Sequence, residues 1–381
     1  MFSLTDEQKA LVDAARTASV VAIGPTVKAD DETETFRPEI FGQLGAAGLC
    51  GIPTAEVWGG LGLGYVEYAL ALEEIAKIAP SWAVCVAVNG LPQIILTLFG
   101  NDTQRQRHLP QLASGEKLGA FALSEPGSGS DAGSLRTTAV RDGDHYVLNG
   151  TKFWITHGGY ADVYVVMART GGPGPRGISA FLVEKGTQGL GYGKKEEKMG
   201  LRASPTVELV LDNARVPAEN LLGSEGDGFR VAMSALDSGR ITIAATSVGL
   251  AQAALDCAAA YACQRRQFDT QIIDFQGVGF MLADMASKVE TARLLVHKAA
   301  WLRDQGQPYS HIAAMAKCVA TDAAMAVSTD AVQVLGGYGY TREYPVERLM
   351  RDAKVMQIVE GTNQVQRVVI ARHLKRTYGG G

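Results

Sequence analysis

Three stretches of the chain combine residue types that could do chemistry. The first is Phe121-Ala-Leu123-Ser124-Glu125-Pro-Gly-Ser-Gly129-Ser130-Asp131-Ala-Gly133, built largely of small residues. Such a run leaves backbone N–H groups open to an anion or a flat ring. The same composition also describes an ordinary exposed Gly/Ser loop. The second is Trp154-Ile155-Thr156, just beyond the turn dipeptide Asn149-Gly150. On a strand, positions 154 and 156 face one side, so an indole and a hydroxyl would share a surface suited to a planar heterocycle. The alternative is a tryptophan committed to the core. The third is Val359-Glu360-Gly361-Thr362-Asn363-Gln364. A carboxylate before glycine can sit at a helix break beside an unobstructed backbone N–H. It can equally be solvated next to a helix cap supplied by Thr362 or Asn363.

The elements that must position these stretches follow from periodicity. Thr5-Asp-Glu-Gln8 reads as a capping box that opens the first helix. Helical spacing recurs over Glu39–Ala47, Tyr65–Ile78 and Ala83–Phe99, with punctuation at Pro53, Gly59, Gly60, Gly62 and Pro92. Beyond Gly119 the texture changes. His145–Gly150 ends in the Asn-Gly turn signal, and Asp162–Ala168, Ile178–Val183 and Thr206–Leu211 are short β-type runs bounded by Gly or Pro. Gly171–Pro175 reads as an exposed loop. After Phe229 helices return, and Leu282, Met285, Val289, Ala292 and Val296 step by three and four along one apolar face. Breaks near Gly277, Gly306 and Gly336 then give an antiparallel bundle. Grouped strands between helical regions argue against a doubly wound sheet. The expected fold is mainly α with a central β domain: residues 1–118 helical, 119–228 a largely antiparallel β domain, 229–381 a helical bundle.

Several function classes are set aside. The 381 residues are 46% hydrophobic and 20% charged, ordinary globular chemistry with room for a large cofactor. A net charge of −4 offers no general field for nucleic acid or an anionic membrane. Five cysteines without a C-x-x-C pair fit a reducing compartment and core packing. The six histidines form no pair at metal-ligand spacing, so no metal is expected. Asp6 and Glu7 interrupt the start, which is no secretory signal, and no run of about 18 apolar residues marks a membrane span. Gly127-Ser-Gly129-Ser-Asp-Ala132 matches a dinucleotide fingerprint only superficially, because no βαβ unit surrounds it. There is no Walker A run, no H-E-x-x-H and no G-x-S-x-G.

In this order and at these separations, the three stretches resemble the acyl-CoA dehydrogenase family. The likeness extends to Leu236-Asp237-Ser-Gly-Arg240, Arg265-Arg-Gln267-Phe268, Gln333-Val-Leu-Gly336-Gly337-Tyr-Gly339, Tyr344-Pro-Val-Glu-Arg348 and Arg351-Asp352, from about Leu4 to Leu374. It implies FAD-dependent oxidation of an acyl-CoA to its α,β-enoyl form, on a fold with an N-terminal helical domain, a β-barrel-like middle domain and a C-terminal four-helix bundle. Glu360 matches the family's base. Relatives that carry the base elsewhere place it on the helix of Asp237, where this chain has Gly239. Phe121, Leu123, Ser124, Gly129, Ser130, Trp154, Ile155 and Thr156 match residues along the flavin, and Thr362 and Gln364 match residues that also touch FAD. Arg265, Gln267, Phe268 and Gln276, with Gln333, Gly336 and Gly337, match a dinucleotide cradle shared with a neighbouring subunit. Arg265 and Phe268 are read as an i, i+3 pair on a helical end. Ser130, Asp237, Arg240, Gly361 and Arg372 match positions toward CoA and its thioester. Asp237 and Arg240 could instead be a simple helix ion pair.

The resemblance further implies a homotetramer and an electron-transferring flavoprotein as partner, with no role for nucleic acid or membrane. It implies a cytoplasmic location in a bacterium, or the mitochondrial matrix for a processed eukaryotic chain. Gly143–Gly150, Gly171–Ser179 and Val183–Thr187 look most like short-chain and short branched-chain members, as used in fatty acid β-oxidation or branched-chain amino acid catabolism. An acyl-CoA oxidase and a nucleic-acid-associated homologue are the alternatives.

Overall fold

The capping box at Thr5 is present. The Gln8 N–H donates to the Thr5 hydroxyl at 3.2 Å, and the Thr5 N–H donates to the Gln8 side chain at 3.1 Å. Two of the donors that a helix start leaves free are thus satisfied. They open α1 (Asp6–Ala22), followed by α2 (Val27–Thr33), α3 (Pro38–Ala46), α4 (Tyr65–Ile78), α5 (Pro80–Phe99) and α6 (Asp102–Ala113). The computed structural model describes residues 3–379.

Pro92 does not break the chain as its type suggested; it lies inside α5. An interior proline removes a hydrogen bond and crowds the preceding turn. Burial outweighs that cost here, since Leu91, Pro92, Gln93, Ile94, Ile95 and Leu96 are all buried. The polar members of this helix serve its neighbours. Asn89 donates to the Leu112 carbonyl at 2.9 Å and accepts from the Gly119 N–H at 2.8 Å, while Gln93 donates to the Cys50 carbonyl at 2.9 Å. The bond to Gly119 ties the helices to the first strand.

The strands are β1 (Gly119–Ala122), β2 (Thr138–Asp142), β3 (His145–Thr156), β4 (Val163–Arg169), β5 (Ile178–Glu184), β6 (Leu190–Lys195), β7 (Thr206–Pro217) and β8 (Leu221–Leu222). They form one eight-stranded sheet in the order β6-β7-β3-β2-β4-β5-β8, with β1 paired to β4. The sheet is mostly antiparallel; β1 runs parallel to β4. Asn149-Gly150, expected as a turn, is instead a bulge within β3, where the register against β7 shifts between Leu148 and Gly150. A bulge and a hairpin draw on the same glycine freedom. A Cβ at Gly150, whose φ is +150°, would meet Thr137 Oγ1 at 2.5 Å. The chain actually reverses at Gly143, with φ +62°, between β2 and β3.

The long helices that follow are α7 (Gly228–Gln264), α8 (Gln276–Asp304) and α9 (Ser310–Leu335); the short hairpin β9 (Arg266–Gln267) and β10 (Thr270–Gln271) separates the first two. Then come α10 (Gly337–Tyr340), α11 (Val346–Met356) and α12 (Asn363–Tyr378). All five residues of the expected α8 stripe are buried. Gly306 and Gly336, with φ of +64° and +61°, end α8 and α9 in positive-φ conformations that favour glycine. The absence of a candidate membrane span needs correction. Pro80–Phe99, Gly228–Gln264 and Ser310–Leu335 are long and apolar enough by composition, although 67–72% of the relevant windows is buried inside the protein. Alanine-rich interior helices reach the same mean hydropathy as membrane helices because both are surrounded by apolar groups.

One ion pair is wholly enclosed beneath the small-residue loop. Lys152 on β3 is completely buried and donates to Glu125 Oε1 at 2.7 Å and to the Leu123 carbonyl at 3.1 Å. Glu125 also accepts from the Arg136 and Thr137 N–H groups at 2.6 and 2.9 Å. Removing one partner of a buried pair strands the other charge, at a cost of about 3–5 kcal/mol. Lys152→Met is therefore expected to lower the denaturant midpoint by the equivalent of about 3 kcal/mol, the smaller end because Glu125 keeps two N–H donors. An unchanged midpoint in equilibrium unfolding would show that the pair carries no such weight.

Candidate active site

The sheet and the helices enclose a cavity of about 1710 Å³. A site for one small ligand is typically roughly 300–1,000 Å³, so there is room for a large cofactor and a substrate tail together. Phe121, Leu123, Ser124, Gly129, Ser130, Trp154, Ile155 and Thr156 line it from the β side; Arg240, Glu360, Gly361, Thr362 and Arg372 line it from the helices.

On the β wall the small-residue loop is tied by its own backbone. Glu125 and Ser128 exchange N–H to carbonyl bonds at 2.9 and 3.1 Å, and the Phe153 N–H donates to the Ser124 carbonyl at 2.9 Å. A Cβ at Gly127 or Gly129 would meet nothing within 4 Å, so the loop's outer side is open space. Opposite Phe153 the β3–β7 register shifts again, between Lys152 and Ile155, and Trp154 takes a φ of +58°. The indole is therefore not packed in the core: it is 57% exposed, on the cavity wall. At the rim, Arg169 clamps two loops, donating to the Gly133 and Leu135 carbonyls at 2.9 and 3.1 Å and to those of Gly172 and Gly174 at 2.5 and 3.0 Å. Gly171–Pro175, read as a mere exposed loop, thus forms part of the cavity edge.

On the helical wall, Thr362 is the N-cap of α12, accepting from the Val365 N–H at 3.2 Å. Glu360 is not solvated beside that cap. Its Oε2 is buried without a hydrogen-bond partner. Burial pushes the carboxyl up to about 7, against the opposing pull of the Arg240 and Lys317 cations. A Cβ at Gly239 on α7 would come within 2.6 Å of Glu360 Oε2, so the missing side chain there is the space the carboxylate occupies. The Glu360 N–H has no hydrogen-bond partner among the described residues.

Other expected residues stand apart. Asp237 does not line the cavity; it is bonded to Arg240 and accepts from the Ser310 hydroxyl at 2.9 Å, the helix ion pair that its spacing allowed. Gln364 faces outward on the exposed side of α12. Arg265, Gln267, Phe268, Gln276, Gln333, Gly336 and Gly337 are all exposed and away from the cavity. Arg265 and Phe268 are not a helical pair. Arg265 caps α7, whereas Phe268, with φ +51° and 90% exposure, sits at the tip of the β9–β10 hairpin. Consecutive positive φ values at Phe268 and Asp269 are those of a tight hairpin turn, which the Phe-Asp pair did not announce.

The sequence reading did not single out most of the apolar end of the cavity: Val84, Val88 and Leu91 on α5, Met233 and Ile243 on α7, and Val355. Their helical spacing was visible, but the same spacing describes core. Nor did it single out the cations Arg136, Lys198 and Lys354 on the walls, which Arg351 joins there. A half-exposed indole, an open small-residue loop and these cations fit a flat, anionic dinucleotide such as FAD.

A large cavity that combines an exposed indole, an open small-residue loop, wall cations and a carboxyl with one buried, unpartnered oxygen has the parts of a flavin-dependent oxidoreductase. The chain belongs to the acyl-CoA dehydrogenase family, and it is an FAD-dependent enzyme of that family. Models of the family's N-terminal, middle and C-terminal domains match residues 5–116, 120–214 and 226–375. The chain is 45% identical to the short-chain-specific acyl-CoA dehydrogenase of Clostridium acetobutylicum, over 98% of this chain and 100% of that one. It superposes on butyryl-CoA dehydrogenase from Megasphaera elsdenii with a TM-score of 0.96 at 45% identity, covering 98% and 99% of the two chains. A chain in a structure described as the electron transferring flavoprotein of Acidaminococcus fermentans gives 0.97 at 47% identity, covering 99% and 100%.

The contact between α7 and the carboxylate can be tested. Gly239→Ala places a methyl group 2.6 Å from Glu360 Oε2, closer than contact allows, and a displacement of about 1 Å in a catalytic group can cost about 10²-fold in rate. The variant is expected to keep its flavin and lose about that factor in kcat. Wild-type kcat would show that the carboxylate is free to move aside.

Proposed function

We propose that the chain oxidises short acyl-CoA thioesters to trans-2-enoyl-CoA, with Glu360 as the base. The observation that carries this reading is Glu360 on the cavity lining, its Oε2 buried without a hydrogen-bond partner and its charged form favoured by the Arg240 and Lys317 cations. The α-proton of a thioester is weakly acidic until its carbonyl is polarised. The free Glu360 N–H would hold that oxygen while the carboxylate of the same residue takes the α-proton. The α C–H electron pair becomes the new double bond, and a hydride leaves the β-carbon. Bound FAD supplies the acceptor for that hydride. Phe121–Ser130 and Trp154–Thr156 would hold its ring, with Ser124 and Thr156 offering hydroxyls where charge accumulates. The apolar end lined by Val84, Val88 and Leu91 would take the acyl chain and exclude water. Arg240, held by Asp237, and Arg372 at the rim would face the CoA portion.

Short acyl chains of about four or five carbons are favoured by the likeness to short-chain and butyryl-CoA enzymes. Release of electrons to an electron-transferring flavoprotein draws support from the similar chain of the Acidaminococcus structure. The exposed group around Arg265, Phe268, Gln333 and Gly336 is available for the subunit contacts of a homotetramer, where it would reach the partner's FAD. Fatty acid and branched-chain amino acid catabolism are both served by such a reaction.

Glu360→Gln keeps size and the backbone N–H but removes the proton acceptor. It is expected to retain flavin and enoyl-CoA binding and lose at least about 10²–10⁴-fold in turnover. In the native enzyme the base must be ionised. Because burial raises its pKa to about 7, activity should fall as pH drops through about 7 and be retained above it. A variant that bleaches its flavin with acyl-CoA at the native rate would remove Glu360 from this role. For the substrate, kcat/KM across an acyl-CoA series is expected to peak at short chains, and to be higher with electron-transferring flavoprotein than with oxygen. A peak at palmitoyl-CoA, or preference for oxygen with stoichiometric peroxide, would overturn the respective parts of this reading.

A further inference from the structure

The base is mounted on a backbone conformation that needs outside support. Glu360 and Gly361 both have positive φ, +53° and +84°. A residue with a Cβ holds that region only where its surroundings enforce it. Gln366 supplies part of the enforcement, donating from Nε2 to the Glu360 and Gly361 carbonyls at 3.0 and 2.8 Å. The rest comes from across the bundle. Lys317, in the N-terminal half of α9, donates from Nζ to the Gly361 carbonyl at 3.0 Å and to Asn363 Oδ1 at 2.9 Å. Asn363 is itself buried and donates to Thr321 Oγ1 at 2.9 Å and Asp322 Oδ1 at 2.7 Å.

What distinguishes Lys317 from an ordinary buried hydrogen-bond donor is its charge. It is completely buried and forms no salt bridge with any described residue. An ammonium group taken out of water without an ion-pair partner is costly, and burial lowers its pKa to about 8. A neutral amide could make the same two hydrogen bonds without that cost. Glu360 is among the negative groups that oppose this lowering, and Lys317 in turn favours the charged form of Glu360.

We propose that Lys317 is a positioning residue for the base: it pins the left-handed Glu360–Gly361 turn and lends the carboxylate an unneutralised positive charge. This rests on the reading of Glu360 as base. The other charges around the carboxylate are accounted for. Arg240 on α7 acts in the same direction but is paired with Asp237. Asp322 on α9 is engaged by Asn363, Gln357 and Arg367. Arg372 on α12 and Lys354 on α11 lie on the cavity lining, as do Asp131, Arg136, Arg169 and Lys198 from the β side and Arg351 from α11. The facing residues of α5 are apolar: Val84, Val88 and Leu91.

The test compares Lys317→Gln, which keeps a donor and loses the charge, with Lys317→Met, which loses both. Each is made as the FAD-loaded enzyme. Two quantities are followed against pH: kcat/KM for a short acyl-CoA, and the ionisation of Glu360 itself by infrared difference spectroscopy of its carboxyl band, assigned with Glu360→Gln. A nearby charge commonly shifts a carboxyl by about 1–3 pH units. We expect both variants to move the Glu360 titration upward by about 1 unit, with the acid limb of kcat/KM following it. Lys317→Met should in addition lose kcat at high pH, where the base is ionised but no longer held. If the Glu360 titration stays in place in both variants while flavin content or stability falls, Lys317 is merely structural and the proposal is wrong. If the titration moves and the acid limb does not, Lys317 acts on Glu360 as proposed and it is the base assignment that fails.

Discussion

The structure depends on one constraint: a carboxyl oxygen must be kept from water, without a hydrogen-bond partner, and the group must still be able to ionise. Glu360 Oε2 meets the first two conditions. In a purely apolar pocket the third would fail, because desolvation drives a carboxyl toward its neutral form. Two cations on separate helices, Arg240 on α7 and Lys317 on α9, oppose that drive. A pKa near 7 is the resulting compromise, and it is a useful one. A general base works best when its pKa lies near the working pH, since a stronger acid accepts protons poorly and a weaker one is already protonated. The long helices therefore do more than bury alanines; their packing fixes where those charges sit.

The two walls of the cavity use the same device. Under the β wall Lys152 is buried against Glu125 and the Leu123 carbonyl. Under the helical wall Lys317 is buried against the Gly361 carbonyl and Asn363. In both places a long side chain crosses the interior to fasten an irregular loop whose other face must stay free. Helices and strands consume their own backbone groups, whereas an open loop leaves carbonyls that need donors from elsewhere. The difference lies in the charge. Lys152 has a carboxylate partner, so its loop is electrically closed. Lys317 has none among the described residues, so its field reaches the cavity.

Much of this was legible in the sequence, for identifiable reasons. The Thr5–Gln8 box, the α8 stripe and the β-branched and aromatic runs over 162–168 and 178–183 are local signals that match the elements they form. The signals that misled were those in which one residue type serves two geometries. Asn149-Gly150 became a bulge because β3 continues to pair with β7 on both sides of it. Pro92 stayed inside α5 because the burial of its neighbours outweighs one lost hydrogen bond. Glu360, Gly361 and the Ser124 loop could be named because they carry polar chemistry in unusual company. Val84, Val88 and Leu91 could not, since an apolar face toward a cavity and one toward the core have the same spacing. Lys317 was equally hidden: a lysine in an alanine-rich helix reads as solvated until the fold encloses it.

The position of the proposed base between two helices, rather than within one, follows from counting backbone donors. Inside α11 or α12 the N–H of a glutamate would be spent on the carbonyl one turn earlier. At 360 the chain has left α11 and has not yet entered α12, so the N–H is unspent and lies on the same residue as the carboxylate. In the proposed reaction one residue can then hold the thioester oxygen and receive the α-proton, with the spacing between the two fixed by covalent geometry. The cost is the positive φ at 360, which a helical residue would not bear. The supports for that turn, Gln366 and Lys317, both act on carbonyl oxygens and leave the N–H untouched. Gly239 completes the arrangement from the opposite helix, since any side chain there would compete with the carboxylate for the same space.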